Sequence, residues 1–259
     1  MIQRAILLAL AIFSSYKSMA AENLITLHYQ DRPPYFVTDN VTKQLKGGEL
    51  YLLIKKIMKE ANIPYEFQIE PISRSILAIK NNNEPVCITY AYITTEREQF
   101  SYFSKPYYTD EIIALAIRKE DKRFDKYKTL EEIMKDDSLM PLAKIGYSWG
   151  NYTNKLLAQY KNYISTEIDK IDPKKIKVTS QEPKEMLQTV ANNGADYTYF
   201  SINEIQYHLN QNKELKDKLK LKKLNDMKEA QSRYFMCAKI VGEKTMEKIN
   251  KAIKKVTHK

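Results

Sequence analysis

The stretch Ile93–Tyr108, "ITTEREQFSYFSKPYY", sets Arg97 between two glutamates, just after Thr94 and Thr95. A planar guanidinium can meet a carboxylate or another oxyanion with two parallel hydrogen bonds, a geometry that lysine lacks. The many lysines of this chain therefore do not duplicate Arg97. The same residues also allow a plain surface ion pair of Arg97 with Glu96 or Glu98, which would contribute little. Two further places bear on anion chemistry. "GYSWGNY" turns from strand into helix, so the amides after Gly150 can receive an anion, with Asn151 placed to cap. Arg74, in "PISRS", begins a helix, where a cation opposes the helix dipole; a bound anion or an ordinary surface arginine both fit. The histidines, His28, His208 and His258, lie far apart and none is at ligand spacing to a cysteine, so no metal is expected. No motif asks for a cofactor.

The elements that must position these groups follow from periodicity. "NLITLHYQ" alternates as a strand and stops at "DRPPYF". "GGELYLLIKKIMKEANI" is an amphipathic helix, "PYEFQIEPI" a strand, "SRSILAIKNNN" a helix and "EPVCITYAY" a strand. That β-α-β-α-β order predicts a mostly parallel sheet with helices on its faces. "DEIIALAIRKED" begins a second run of α/β units through "KTLEEIMKD", "PLAKIGYSWGNYTNKLL", "IKVTS", "EPKEMLQTVANNG", "ADYTYFS" and "INEIQYHL". "SRYFMCAKIV" and "EKTMEKINKAIKKV" close the chain as strand and helix. The expected division is a signal peptide at residues 1–20, a first lobe from 22–114 and 230–259, and a second lobe from 115–229.

Composition bounds the function classes. The opening "MIQRAILLALAIFSSYKSMAAENL" carries Arg4, an apolar run from Ala5 to Phe13 and small residues ending at Ala20, the layout of a cleaved secretory signal. Its apolar run is about half of the ~20 residues that span a bilayer, so stable membrane insertion is not expected. The formal charge of +10 falls to about +8 once Arg4 and Lys17 leave. The lysines are scattered, and the densest run, "KELKDKLKLKK", is mixed with acids and leucines. It reads as a solvated helix face rather than a nucleic-acid patch. Cys87 and Cys237 are the only cysteines, which in an exported chain permits one disulfide, two buried thiols being the alternative. Both fall on expected first-lobe strands, and a bond between them is the expectation adopted.

The pattern Thr94-Thr95-Glu96-Arg97 followed by Phe103-Ser104-Lys105-Pro106-Tyr107 resembles the T-x-E-R…F-S-x-P-Y motif of the family 3 solute-binding proteins of amino-acid ABC transporters. Weaker matches are "PPY" at Pro33, the helix led by Gly48, "KTLEEI" from Lys128, "GYSWGNYTNKLL" from Gly146 and "NNGADYTYFS" from Asn192. "EPISR" followed by "VCITYAYITTERE" is similar to a poorly characterised branch of that family. The resemblance covers nearly all of the chain after the signal. It implies an α/β fold of the two-lobed periplasmic binding protein type II kind, with a ligand cleft between the lobes.

It further implies that Arg97 grips a ligand carboxylate, with Thr94 and Thr95 as added hydroxyl donors and Tyr35 as a stacking aromatic. Asn151 stands where the family usually has Ser or Thr. Trp149, the only tryptophan, either lines the cleft or packs the lobe core. Amino-acid binders of this type carry an aspartate for the ligand ammonium where this chain has Ser201. Either Glu204 replaces it or the ligand lacks an ammonium. The function implied is capture of a small carboxylate-bearing ligand, an amino acid or a related compound, by a monomeric periplasmic protein partnered by an ABC permease, without catalysis. A sensor would look the same. An enzyme similar to cyclohexadienyl dehydratases is the competing class, with Glu204, Glu49 or His28 as its acid. A basic structural or cell-surface protein, the third class, would show no stabilisation by any ligand.

Overall fold

The computed structural model describes residues 24–258 apart from 40, 43, 166–168 and 170; the expected signal segment lies outside the described residues. Strand β1 (Ile25–Tyr29) buries Ile25, Leu27 and Tyr29 and runs into a tight loop at residues 31–36. Backbone bonds from Arg32 to the Phe36 carbonyl (2.9 Å) and from Tyr35 to the Arg32 carbonyl (2.9 Å) close that loop. After the short hairpin of β2 (Val37–Thr38) and β3 (Leu45–Gly47) comes α1 (Glu49–Ala61). No side chain caps α1. Its Glu49 and Tyr51 amides donate to the carbonyls of Pro34 and Tyr35, so the helix start and the loop satisfy each other. Gly48 allows this approach: its φ is +119°, and a Cβ there would lie 2.1 Å from the Tyr35 oxygen.

Next come β4 (Tyr65–Ile69), α2 (Ile72–Asn81), the fully buried β5 (Val86–Ala91), the single turn α3 (Thr95–Glu98), β6 (Ser101–Phe103) and β7 (Tyr108–Thr109). β8 (Ile113–Arg118) leads to α4 (Leu130–Lys135), β9 (Leu142–Lys144), α5 (Gly150–Lys161), β10 (Lys177–Thr179), α6 (Pro183–Ala191), β11 (Tyr197–Ser201) and α7 (Ile202–Gln211). Then follow α8 (Lys213–Lys218), β12 (Leu219–Lys222), β13 (Ser232–Ala238) and α9 (Glu243–Thr257).

Besides the β2-β3 hairpin, the described strands form a six-stranded sheet in one lobe and a three-stranded sheet with a neighbouring two-stranded pair in the other. The first has the order β4-β1-β5-β13-β6, with β7 also on β13. β1 is parallel to β4 and β5, as the β-α-β order requires, while β13 returns antiparallel beside β5. In the second lobe β8 lies between β11 and β12, antiparallel to both, and the parallel pair β9-β10 joins through a bridge from Pro141 to Tyr197. The chain thus passes from the first sheet to the second between Thr109 and Ile113 and back between Lys222 and Ser232. The two crossings lie side by side, since the Asp110 amide donates to the Gln231 carbonyl at 2.9 Å.

Cys87 and Cys237 face each other on β5 and β13 and are joined as a disulfide. One expectation changes. "KELKDKLKLKK" is helical only through Lys218; beyond it Leu219 and Leu221 alternate inward on β12, a period of two that belongs to a strand. The mixed charges masked that switch.

Candidate functional site

Arg97 is buried on α3, where its amide is capped by the Thr94 hydroxyl at 3.2 Å. Its guanidinium donates to two backbone carbonyls, Tyr92 in its own lobe (3.2 Å) and Gly146 in the other (2.9 Å). No carboxylate stands within ion-pair distance of it among the described residues; Glu96 pairs instead with Lys80, out in solvent. Burial without such a partner lowers the Arg97 pKa to about 10. Gly146 has φ +77°, and a Cβ there would sit 3.0 Å from Ile72 Cγ2 on α2. The glycine is what lets the second lobe come this close.

Arg97 separates two spaces. Outside it is an interlobe groove of about 500 Å³, lined by Thr94 and Thr95 from the first lobe and by Ser148, Asn151 and Asn154 from the second. Inside is a cavity of about 20 Å³, room for about one water. Three arginines (Arg32, Arg97, Arg233) and three tyrosines (Tyr90, Tyr92, Tyr147) line that cavity, and no acidic side chain does. A hollow of about 850 Å³ along α1 and β4 shares none of these residues.

Arg32 and Arg233 each have an internal acid. Arg32, from the loop after β1, meets Glu204 of α7 through two hydrogen bonds, 2.6 and 2.9 Å, both groups buried. Its guanidinium lies over the rings of Tyr147 (4.7 Å), Tyr35 (5.7 Å) and Tyr90 (5.9 Å), a cage suited to a flat cation. Burial disfavours the Arg32 charge, and the Glu204 carboxylate more than restores it. Arg233 pairs with Asp110 at 2.6 Å where the two crossings meet, and stacks on Tyr92 (4.4 Å). Tyr92 donates to the same Asp110 carboxylate. Burial pushes the Tyr92 and Tyr147 hydroxyls above their ordinary values, so both remain donors. The Tyr147 hydroxyl and Arg233 Nε have no hydrogen-bond partner among the described residues.

The expected site residues are distributed as follows. Tyr35 is buried, but its hydroxyl bridges the lobes to Ser201 Oγ (2.7 Å) and Asn203 Oδ1 (3.0 Å). Glu204 is held by Arg32 and is fully buried. Asn151, Thr94 and Thr95 reach the outer groove only. Trp149 packs in the second lobe on Tyr199, donating to its carbonyl at 2.9 Å, and does not line the inner cavity. Arg74 is not brought to the cleft. Its side chain is 72 % exposed and paired with Glu70 one turn earlier at 2.8 Å, and that acid supplies the charge the dipole argument lacked. Of the acid candidates, Glu49 accepts from the Tyr108 hydroxyl (2.8 Å) and His28 Nδ1 lies 3.0 Å from Ser75 Oγ.

The sequence reading missed Arg32, Asp110, Arg233 and Tyr147. A usable signal existed for Arg233, a cation inside the apolar strand "SRYFMCA", because a charge there must find a partner.

Among solved structures the chain is similar to an ancestral arginine-binding protein bound to arginine: 20% identity, 91% of this chain and 92% of that chain covered, TM-score 0.67. It is similar also to the amino acid ABC transporter substrate-binding protein AbpA from Streptococcus pneumoniae bound to L-arginine (17%, 95% and 92%, 0.68). A third is an ancestral amino acid-binding protein described as a precursor of cyclohexadienyl dehydratase (18%, 94% and 94%, 0.66). At such identities the likeness concerns the fold. No curated protein sequence matches the chain. The family model for bacterial extracellular solute-binding proteins, family 3, matches residues 24–259, and the chain belongs to that family.

Proposed function

We propose that this chain captures a small carboxylate-bearing solute, an amino acid or a related compound, between its lobes, with Arg97 as the carboxylate clamp. The observation that carries the reading is the buried Arg97 guanidinium, which touches both lobes and has no acid partner among the described residues. An anion entering beside it would supply the missing charge in a site from which water is largely excluded. Thr94, Thr95 and Asn151 on the groove side add polar contacts. Closure of the two lobes, divided as the sheets divide, would present a changed surface to an ABC permease in the periplasm. Among the described residues no helix is long and apolar enough to cross a membrane.

The dehydratase reading has less behind it. Its acid would have to be Glu204, Glu49 or His28, and each is engaged by another side chain. Incubation with prephenate or arogenate while following the ultraviolet spectrum tests it directly. The binding reading is tested by a thermal-shift screen of the mature protein against amino acids and simple carboxylic acids, where a hit raises Tm with the logarithm of ligand excess. Stabilisation that survives in Arg97→Ala unchanged would overturn the clamp.

A further inference from the structure

We infer that the solute is a small monocarboxylate without an ammonium group, and that Arg32 sets this limit by filling the tyrosine cage and engaging Glu204. The inference rests on the reading of Arg97 as the carboxylate clamp and narrows it.

The argument is one of charge and of hydrogen-bonding sense. Each acid near the inner cavity already has a cation: Glu204 has Arg32, Asp110 has Arg233, and Glu182 has Lys144 at 2.6 Å. Arg97 is the cavity cation without one among the described residues, which matches one negative charge and no more. The groups that line the cavity and still lack a partner are donors; the one unbonded acceptor nearby among the described residues, Asp110 Oδ1, belongs to the acid already paired with Arg233 and does not line the cavity. The donors include the remaining N–H groups of Arg97, the Tyr147 hydroxyl and Arg233 Nε, whereas the carbonyls of Tyr92 and Gly146 already accept from Arg97. An ammonium brought here would meet the unpaired Arg97 guanidinium and no carboxylate that lacks a cation of its own, and repulsion of this kind is how a cleft rejects a near relative of its ligand.

The position that an amino-acid binder would fill with aspartate is Ser201, whose hydroxyl is joined to Tyr35. The one acid on the outer groove, Glu96, is paired with Lys80. Size points the same way. Three tyrosine rings and an acid would suit the cationic end of a long ligand, but the guanidinium of Arg32 is already there. The cleft therefore contains a tethered cation of its own, and since the space beside Arg97 holds only about one water, an acid enters as the lobes part and a short one needs the least opening.

The test is calorimetric titration of the mature wild-type protein with matched pairs of acids, each α-amino acid beside its 2-hydroxy and 2-deoxy counterparts. The expected result is that in at least one set the ammonium-free acid binds about tenfold or more tightly than the amino acid, and that Arg97→Ala abolishes this binding. Equal or tighter binding of the amino acid in every set that binds, lost in Arg97→Ala, would overturn the inference and leave the clamp standing. Absence of binding by every acid would overturn both.

A second arm tests Arg32 directly with Arg32→Ala. Methylguanidinium should raise the Tm of this variant and leave the wild type unmoved, because only the variant has the cage and Glu204 free. Guanidino acids of two to four carbons should bind the variant and not the wild type. Equal response of the two proteins to methylguanidinium would refute the role given to Arg32. If Arg32→Ala does not fold, the wild-type titrations still decide the ligand class.

Discussion

Arg32 and Glu204 meet across the two lobes through two hydrogen bonds of 2.6 and 2.9 Å, although 172 residues separate them in the chain. Neither group is exposed to water, so each depends on the other. Glu204→Leu or Arg32→Met alone should destabilise by about 3–5 kcal/mol, because the remaining charge is left buried and unpaired. The double variant Arg32→Met with Glu204→Leu should be closer to wild type than either single change. Urea denaturation of the four proteins checks this, and additive losses would contradict the pairing.

The disulfide between Cys87 and Cys237 closes a segment of 150 residues that contains the whole of the second sheet. Replacing both cysteines by alanine should cost about 2–5 kcal/mol, since the unfolded chain gains freedom. Ligand affinity should hardly change, because the bond lies in the first sheet beside β1 and not on the cleft. Two titratable thiols in the denatured, unreduced protein would contradict the bond.

His28 and His208 are both buried, and burial lowers both pKa values, against the opposing influence of Glu70 and Glu84 on His28 and of Glu204 and Glu185 on His208. The unfolded chain therefore binds protons more readily. Stability from these groups is fully present above the ordinary histidine value of about 6.5 and is lost as pH falls through the lowered folded values. Tm should drop between about pH 7.5 and pH 5.5, and the drop should shrink in His28→Gln combined with His208→Gln. A wild-type Tm that is flat or rises over that range would contradict it.

Gly146 is pinned by its backbone and by its neighbour. At φ +77° any side chain is strained, and a Cβ would lie 3.0 Å from Ile72 of the other lobe. Gly146→Ala should strain the backbone here and weaken the contact from Arg97 to the Gly146 carbonyl. Thermal denaturation should show a lower Tm than wild type; an unchanged Tm would contradict the constraint placed on this position.

The α/β pattern was legible because it is local. Strand alternation in "ITLHY" and the helical spacing of Leu50, Ile54, Ile57 and Ala61 need no knowledge of the rest of the chain. Arg97 stood out through its motif, and in the structure it is buried rather than paired at the surface with Glu96 or Glu98. The inner cavity was not legible, since Arg32, Asp110 and Arg233 acquire meaning only from partners brought by distant segments. Glu204 was selected as an acid near the ligand but is held by Arg32, and nothing in the local sequence announces that. Arg74 misled because the dipole argument ignored Glu70 four positions before it. In the run from Lys213 the change from helix to strand was hidden by lysines on both sides.

The most direct measurement is calorimetric titration of wild type, Arg97→Lys and Arg97→Ala with the tightest carboxylate found in the screen. Truncating one side of a buried charge pair should cost about 2–5 kcal/mol in Arg97→Ala, about thirty- to several-thousand-fold in Kd. Arg97→Lys should retain the charge but lose the two-bond geometry, and should fall between the other two. Both variants should remain folded, because among the described residues the Arg97 side chain bonds to two backbone carbonyls and to no other side chain. Equal affinities across the three proteins would contradict the clamp and with it the account of the cleft.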